Sequence, residues 1–229
     1  MERPYIICHM VTSIDGKVTG NFLYQDRCQR ATEIYYEINR RLKSNGFICG
    51  RVTMEGSFTG GWYPELSNYE EMPKIDYIPK ELSGFYAIAF DTHGKLGWKT
   101  AKIEDEDPGY DKAQIVEVLS EQVDGRYLGY LQKMGIPYIF AGKNDINVGS
   151  ALKKLKKLIG TEMLLLEGGS IINGAFLKAG AVDELSLVVS PTIAEKDDKP
   201  LFWDSEMVDF QLVDVENIDG VLVLKYKNV

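Results

Sequence analysis

The sequence predicts an α/β fold, and three observations carry that prediction. The 229 residues are 45% hydrophobic and 26% charged, which is the balance of a globular chain with one sizeable core. Short apolar runs alternate with segments in which apolar residues recur at helical spacing. This alternation is typical of strand-helix-strand units. We therefore expect a single α/β domain over residues 1–229.

The first half of the chain predicts a strand, a long helix and two further strands. The apolar run at residues 4–11 precedes the turn signal Asp15-Gly16, which indicates a strand that ends in a loop. Residues 31–44 carry apolar side chains near helical spacing and end at Asn45-Gly46, which indicates a helix. The remaining segments are short strands at 47–49 and 85–90 and an irregular excursion at 59–84.

The second half continues the alternation and ends in β-structure. The acidic segment at residues 103–111 is predicted as a solvated loop. A long connection with a turn at Asp219-Gly220 is expected before the last strand. The predicted strands are 114–119, 136–140, 163–166, 185–189 and 221–226, and the predicted helices are 126–134, 151–159 and 171–179.

Charge and cysteine content exclude several classes of protein. The formal net charge of -8 at pH 7 disfavours a nucleic-acid-binding surface. Cys8, Cys28 and Cys49 lack the paired spacing of a zinc site or a disulfide framework, which indicates reduced thiols. The N-terminus shows neither a signal peptide nor a membrane span. We expect a cytoplasmic protein that binds neither nucleic acid nor membrane.

Two glycine segments predict phosphate-binding sites. Gly50-Arg51-Val52-Thr53 and Glu167-Gly168-Gly169-Ser170 each follow a short apolar strand and open a predicted helix. Glycine lets the backbone approach an anion, and the free N–H groups of the first helical turn point at it. Arg51 adds a fork of donors for a phosphate monoester. Taken alone, each segment is more often a tight turn with a helix cap, and neither has the usual dinucleotide-binding spacing.

Both segments resemble a known family. Gly50-Arg51-x-Thr53-x-Glu55 and Gly168-Gly169 are similar to cofactor-binding segments of dihydrofolate reductase. The similarity to the pyrimidine reductases of riboflavin synthesis, the C-terminal part of a bifunctional deaminase-reductase, is closer. It extends over residues 12–17, 45–50, 128–142, 165–170 and 182–191. The resemblance implies a dihydrofolate reductase-like fold with a central mixed β-sheet flanked by helices, NADPH across the strand ends, and a homodimer.

The resemblance also implies cofactor-binding residues. Gly50, Arg51 and Thr53 match positions that contact the phosphates, with Arg51 the candidate for the 2′-phosphate of NADPH. Ser120, at a predicted strand end, matches a position that contacts the adenosine part of the cofactor. The positions that match the pyrophosphate and ribose contacts are Gly142, Gly168, Gly169, Ser170 and Ile171.

On the substrate side, the resemblance implies hydride transfer to the ribosyl imine carbon of 5-amino-6-(5-phosphoribosylamino)uracil. Asp15 and Lys17 match the loop over the nicotinamide, and Lys17 is the candidate proton donor. Glu167 matches an acidic position beside the substrate sugar. Thr12 and Arg41 are substrate-binding candidates, with Arg41 directed to the phosphate. The alternatives are that Asp15 only fixes its turn, Arg41 only covers a helix, and Glu167 only satisfies a backbone donor.

Two departures leave other functions open. Ser57, Phe58 and Thr59 stand where the riboflavin reductases usually carry an aspartate and then a proline. The zinc motifs of the deaminase half are missing, and His9 and His93 stand alone, so no metal site is expected. The alternatives are a reductase of a pterin, a folate or another heterocycle, and a non-catalytic NADP(H)-binding module. For the pterin alternative, Glu33 and Glu37 are poorly placed carboxylates.

Overall fold

A computed structural model describes residues 2–229, which group into two units. The first unit holds residues 2–4 and 44–164, and the second holds residues 5–43 and 165–229. The strands of the described residues are β1 (Tyr5–Thr12), β2 (Gly46–Gly50), β3 (Tyr86–Phe90), β4 (Gln114–Leu119), β5 (Tyr138–Phe140), β6 (Met163–Leu166), β7 (Glu184–Val189), β8 (Phe210–Ile218) and β9 (Val221–Asn228).

Helices of three kinds connect these strands. The α-helices are α1 (Asp26–Leu42), α2 (Arg51–Met54), α3 (Gly125–Met134), α4 (Val148–Lys154) and α5 (Ser170–Lys178). Helices α2 and α4 continue as π-helical turns at Glu55–Thr59 and Leu155–Ile159. Short 3-10 turns lie at Asn21–Tyr24 and Leu66–Asn68.

The first unit contains four parallel strands in the order β5-β4-β3-β2. Phe90 of β3 lies opposite Gly50 of β2 and Val118 of β4, and Phe140 of β5 lies opposite Leu119 of β4. Nearly every residue of these strands is buried, as is typical of parallel strands covered on both faces. Because the strands are parallel and in register, the segments after their carboxyl ends are neighbours.

The second unit combines parallel and antiparallel pairing. β1 pairs with β7 in parallel, whereas β9 pairs antiparallel with both β7 and β8. The buried face of α1 supplies Ile34 and Ile38 to a core cluster that also contains Val188 of β7 and Val223 of β9. Mixed strand pairing with flanking helices confirms the predicted α/β class.

The predicted elements are present, with two corrections. The first long helix begins at Asp26 rather than at residue 31, and its N-cap residue Gln25 forms no side-chain cap that would mark the start. A strand, β8, occupies part of the expected connection between 185–189 and 221–226. Most of its side chains are exposed and its register shifts between Leu212 and Asp214, so it lacks a clear period-two pattern of burial.

His9 has a structural place in the core of the second unit. Its Nδ1 lies 3.0 Å from the Ser186 hydroxyl oxygen, and its Nε2 lies 3.0 Å from the Tyr35 carbonyl oxygen. Its ring stacks on the Tyr35 ring at 4.3 Å between centroids. Burial lowers the pKa of His9 to about 4, against the backbone hydrogen bonds that raise it. The imidazole is therefore neutral at neutral pH.

Residues 2–229 contain neither a metal-binding cluster nor a membrane-spanning helix. No group of three or more His, Cys, Asp and Glu side chains is arranged to hold a metal ion. No helix in this part of the chain is long and apolar enough to cross a membrane. Cys8, Cys28 and Cys49 are buried and form no disulfide.

Candidate active site

Four segments of the first unit lie side by side where its parallel strands end. The register pairs Gly50–Phe90 and Phe90–Val118 place the ends of β2, β3 and β4 next to one another. Ligands of parallel sheets bind at such an edge, outside the carboxyl ends of the strands. We call the following segments the strand-end edge: residues 50–51, 91–92, 120 and 141–142.

Hydrogen bonds join the strand-end edge together. The Ser120 hydroxyl donates to the Thr92 carbonyl oxygen at 2.7 Å, and the Ser120 amide donates to the same oxygen at 3.2 Å. The Glu121 amide donates to the Gly142 carbonyl oxygen at 3.0 Å. The Ser120 hydroxyl oxygen also accepts from the Gln122 amide at 3.2 Å. Ser120, the predicted adenosine contact, therefore uses its hydroxyl proton within the edge itself.

Gly142 adopts a conformation that requires glycine. Its φ is 153°, and a Cβ atom built there would lie 2.0 Å from the Asp145 carbonyl oxygen. The Asn147 amide closes the same turn by donating to the Ala141 carbonyl oxygen at 2.6 Å. The turn therefore needs this glycine independently of any ligand.

Helix α2 begins directly at the strand-end edge. Its N-cap residue, Gly50, brings no capping side chain, so the first N–H groups of the helix have no side-chain cap. The half-buried Arg51 guanidinium donates to the Glu55 carboxylate at 2.8 Å, and Thr53 is half-buried on the same turn. Uncapped N–H groups beside a guanidinium form a donor set that suits a phosphate.

Glu167 is a buried carboxylate of the second unit, and helix α1 orients it. Its Oε1 accepts a hydrogen bond from the Asn39 side-chain amide at 2.6 Å. Glu167 follows the apolar strand β6, and Asn39 lies on the buried face of α1 beside Ile38. Because the Asn39 side chain donates this hydrogen bond, it fixes the orientation of the Glu167 carboxylate.

The two glycines after Glu167 lead into helix α5. Gly168 has a φ of 92°, and Gly169 is the N-cap residue, again without a side-chain cap. The Ser170 hydroxyl donates to the Pro200 carbonyl oxygen, and the Ser170 carbonyl oxygen accepts from the Trp203 amide at 3.1 Å. Ile171 is exposed at the first turn. The start of α5 is thus uncapped like that of α2, while the Ser170 side chain anchors the chain near residue 200.

The loop after β1 is bound to a segment that we call the strap, residues 192–201. The Asp15 carboxylate accepts from the Ser13 hydroxyl at 2.7 Å and from the Ala194 amide at 3.0 Å. These hydrogen bonds, with that from Ser13 the largest cause, lower the pKa of Asp15. The Lys17 ammonium donates to the Asp198 carbonyl oxygen at 2.8 Å. Asp15 and Lys17 therefore share the strap as their partner.

The other two substrate candidates lie apart from these contacts. Arg41 is exposed in the last turn of α1. Thr12 is buried at the end of β1, where its carbonyl oxygen accepts from the Ser190 amide at 2.8 Å. Asn39 is the residue that sequence reasoning missed. The available signal is a polar residue on the buried, apolar face of a predicted helix, because such a side chain needs a hydrogen-bond partner.

Comparisons with known proteins agree with this architecture. The family profile described as RibD C-terminal domain matches residues 4–224. The 2,5-diamino-6-ribosylamino-4(3H)-pyrimidinone 5′-phosphate reductase of Methanothermobacter thermautotrophicus is 31% identical over 208 residues, which cover 90% of this chain and 87% of the relative. These matches confirm the resemblance that the motifs indicate.

Solved structures confirm the fold. RibD of Acinetobacter baumannii aligns over the whole chain with a TM-score of 0.67 and 18% identity. The chain spans 59% of the length of that protein. The riboflavin biosynthesis reductase Rib7 of Saccharomyces cerevisiae aligns with a TM-score of 0.66 and 13% identity, over all of this chain and 91% of the yeast protein. At these identities the likeness concerns the dihydrofolate reductase-like fold alone.

Proposed function

The chain belongs to the family of RibD C-terminal domains, and on that premise we propose that it is an NADPH-dependent reductase of a phosphorylated ribosylamino-pyrimidine. The observation that carries this function is the match over 90% of the chain to a relative named as such a reductase. The substrate class follows from that relative's name, and the compound itself is either the pyrimidinone of that name or the related uracil.

The reaction adds one hydride and one proton across a carbon-nitrogen double bond. NADPH supplies the hydride. It adds to the ribosyl carbon of the ring-opened imine, the proton goes to the nitrogen, and a ribitylamino group results. The protein supplies alignment, charge and the proton. Glu167, oriented by Asn39, is suited to hold sugar hydroxyls, because carboxyl oxygens accept hydrogen bonds from hydroxyl groups.

The donors at the strand-end edge support a phosphorylated cofactor. Arg51 and the uncapped N–H groups of α2 are proposed to bind its phosphates, with Arg51 at the 2′-phosphate. Glu55 offsets part of the Arg51 charge in the free protein, so we expect a phosphate to compete with this carboxylate for the guanidinium. In the second unit, the uncapped start of α5 is proposed as a further phosphate contact.

Lys17 remains the proposed proton donor, and its contacts suggest a second role. The ammonium is held by the Asp198 carbonyl oxygen at 2.8 Å and lies 3.4 Å from that of Lys196. A lysine with two carbonyl partners positions the strap as well as carrying a charge. We therefore propose that Lys17 links substrate binding to the position of the strap.

Titration and turnover test this function together. Purified protein is titrated with NADPH and with NADH, and the loss of reduced-nicotinamide absorbance is followed after addition of the phosphoribosylamino-pyrimidine. We expect tight NADPH binding and steady turnover. Absence of NADPH binding would rule out the reductase proposal.

The departure at residues 57–59 keeps two alternatives open. Ser57, Phe58 and Thr59 stand where the family usually carries an aspartate and then a proline, and the missing aspartate motivates an NADP(H)-binding module without turnover. Binding of NADPH without oxidation by the pyrimidine or by a pterin would favour that module. Turnover with a pterin alone would instead favour the pterin reductase.

We further propose a homodimer in the cytoplasm. On the edge strand β8, the apolar residues Leu212, Val213 and Val215 are 48%, 50% and 55% exposed. An exposed apolar edge strand is a surface that a second copy of the chain can cover. The free thiols of all three cysteines suit a reducing compartment.

A further inference from the structure

Two carboxyl groups are buried together in the core of the first unit. Asp91 is 1% exposed and Glu117 is 0% exposed. Glu117 on β4 lies opposite Ala89 of β3, and Asp91 follows two residues after Ala89, where its amide donates to the Val118 carbonyl oxygen at 3.0 Å. Residues two apart along a strand point to the same face, and such diagonal neighbours are within reach of long side chains.

In each carboxyl group one oxygen has partners and the other has none among the described residues. Asp91 Oδ2 accepts from the amides of Lys95 and Leu96, the latter at 2.8 Å. Glu117 Oε1 accepts from Trp98 Nε1 at 2.5 Å and lies 3.3 Å from the Tyr127 hydroxyl oxygen. Asp91 Oδ1 and Glu117 Oε2 lack a partner. Two charged carboxylates with unmatched oxygens would be strongly destabilising in this environment.

One proton removes that conflict, and Glu117 is the group that holds it. Burial raises the pKa of Glu117 well above its ordinary value, and the charge of Asp91 raises it further. Burial also raises the pKa of Asp91, but backbone N–H groups of residues 93, 95 and 96 and the charge of Arg51 act in the opposite direction. Asp91 is therefore the better stabilised of the two carboxylates.

Residues 91–98, the segment after β3, are held by hydrogen bonds from side chains around the carboxyl pair. The Tyr63 hydroxyl donates to the Gly94 carbonyl oxygen at 2.8 Å, and the Tyr127 hydroxyl donates to that of Leu96 at 2.7 Å. The Tyr130 hydroxyl donates to the carbonyl oxygen of Trp98, whose indole N–H binds Glu117. Residues 91–98 are thus held by side chains that surround the carboxyl pair, and they begin at the strand-end edge.

We propose that Glu117 is a positioning residue, kept as a neutral carboxylic acid beside the Asp91 carboxylate, whose proton holds residues 91–98 in place at the strand-end edge. When Glu117 gives its proton to solvent, two like charges face each other in the core and the segment is released. We call this arrangement of the Glu117 proton, the Asp91 carboxylate and residues 91–98 the proton lock. It requires no ligand. Only its effect on NADPH binding rests on the proposed function.

The neighbouring tyrosine hydroxyls do not account for such a release near neutral pH. Burial raises the pKa of Tyr63 to about 12 and raises those of Tyr127 and Tyr130 above their ordinary value, so these hydroxyls stay protonated. The remaining groups on the surrounding elements are Asp124, which caps α3, Tyr69, which packs on Tyr130, and His93 and Lys95, which are exposed in the segment itself.

The sign of the pH effect follows from linkage. A carboxyl group whose pKa is raised in the folded state binds more protons there than in the unfolded state. Its stabilising contribution is complete below the unfolded pKa and is lost as the pH rises through the folded pKa. Glu117→Gln keeps a neutral side chain at every pH, so the variant should lose this dependence.

Hydrogen exchange of the amides at residues 95–98, corrected for intrinsic exchange rates, tests the lock between about pH 6 and about pH 9. In the wild-type protein we expect protection to fall by up to about tenfold per pH unit once Glu117 ionises. In Glu117→Gln it should stay level, and the exposed control Glu104→Gln should behave as wild type. Level protection in the wild type, or the same decline in Glu117→Gln, would overturn the lock.

Asp91→Asn supplies a second test should Glu117→Gln fail to fold. Removal of the neighbouring charge makes ionisation of Glu117 easier, so the midpoint of the decline should move to lower pH. A purely structural role would not move this midpoint, and an unchanged midpoint would overturn the pairing of Asp91 with Glu117.

NADPH titrations over the same pH range separate the lock from the proposed function. We expect the NADPH dissociation constant of the wild type to rise together with the loss of protection, and that of Glu117→Gln to stay level. A dissociation constant that stays level in the wild type while protection falls would overturn positioning at the edge. Absence of NADPH binding at every pH, with the decline of protection intact, would contradict the reductase proposal and leave the proton lock standing.

Discussion

At the residue scale, Arg51 and Glu167, which the sequence singles out, each have a side-chain partner. Arg51 pairs with Glu55, and Glu167 accepts from Asn39. Such contacts orient a group before a ligand arrives, which lowers the entropy cost of binding. A substitution at these positions therefore tests both the partner contact and the proposed ligand contact.

We expect Arg51→Ala to weaken NADPH binding much more than NADH binding. Loss of a charge-assisted hydrogen bond costs about 1.5–3 kcal/mol, which is about 10- to 150-fold in affinity. NADH has no 2′-phosphate, so its affinity should change little. Fluorescence titration of both cofactors measures the ratio, with the exposed Arg126→Ala as the matched control. An unchanged ratio would remove Arg51 from the 2′-phosphate.

Asn39→Ala should lower turnover by about tenfold while leaving NADPH affinity unchanged, because the orientation of Glu167 is lost but the strand-end edge is intact. The stability should fall by about 1–3 kcal/mol, since a buried carboxylate oxygen loses a donor. Steady-state kinetics and urea unfolding give the two values. Gln29→Ala, an exposed amide on the same helix, serves as the control, and full turnover in Asn39→Ala would contradict the role of Asn39.

At the scale of elements, strand β8 and the strap differ in how many of their groups have partners within the chain. The strap is held by the loop after β1 through Asp15, Lys17 and Thr19, which binds the Lys199 amide at 2.8 Å. Strand β8, in contrast, has β9 on one side and exposes most of its side chains. The strap thus has its hydrogen-bond partners within the chain, whereas β8 carries the exposed surface that we propose a second copy covers.

Val215→Lys should convert the proposed dimer into a monomer. A charge on an exposed edge strand opposes pairing with a second copy, and Val215 is exposed, so the fold should tolerate the lysine. Sedimentation velocity measures the mass, with Val229→Lys, an exposed valine outside β8, as the control. A wild-type protein that sediments as a monomer at high concentration would end the dimer proposal.

At the scale of the whole molecule, buried ionisable groups give the two units opposite responses to pH. In the first unit, Glu117 is favoured as a neutral acid, so a rise in pH that ionises it lowers the stability of the folded state. In the second unit, burial holds His9 neutral with a pKa of about 4, so a fall in pH is unfavourable. Stability should therefore be greatest between these two limits.

Removal of His9 should flatten the acid side of the stability profile. The unfolded pKa of a histidine is about 6.5, so His9 contributes stability above that value and loses it as the pH falls toward about 4. The full difference amounts to about 3 kcal/mol. Thermal unfolding from neutral to acidic pH should show a smaller slope for His9→Gln than for wild type, while the exposed His93→Gln keeps the wild-type slope. Equal slopes for His9→Gln and wild type would contradict this assignment.

Local sequence signals determined most of the elements and the cofactor motifs. Strands such as β3 and β6 are unbroken apolar runs, so burial on both faces is visible in the sequence itself. Gly50-Arg51 and Gly168-Gly169 stand at strand ends, and Gly168 adopts a φ of 92°, a conformation that favours glycine. The family followed from motifs in fixed order along the chain, and its profile matches residues 4–224.

Only the tertiary structure decided which distant side chains meet. The Glu167–Asn39 pair joins residues 128 positions apart, and the Asp91–Glu117 pair joins neighbouring strands. Strand β8 has no burial pattern of its own, because its partner β9 rather than a core supports it. Apolar periodicity is a local property that each segment carries by itself, whereas hydrogen-bond partners and neighbouring carboxyl groups exist only once the strands are in register.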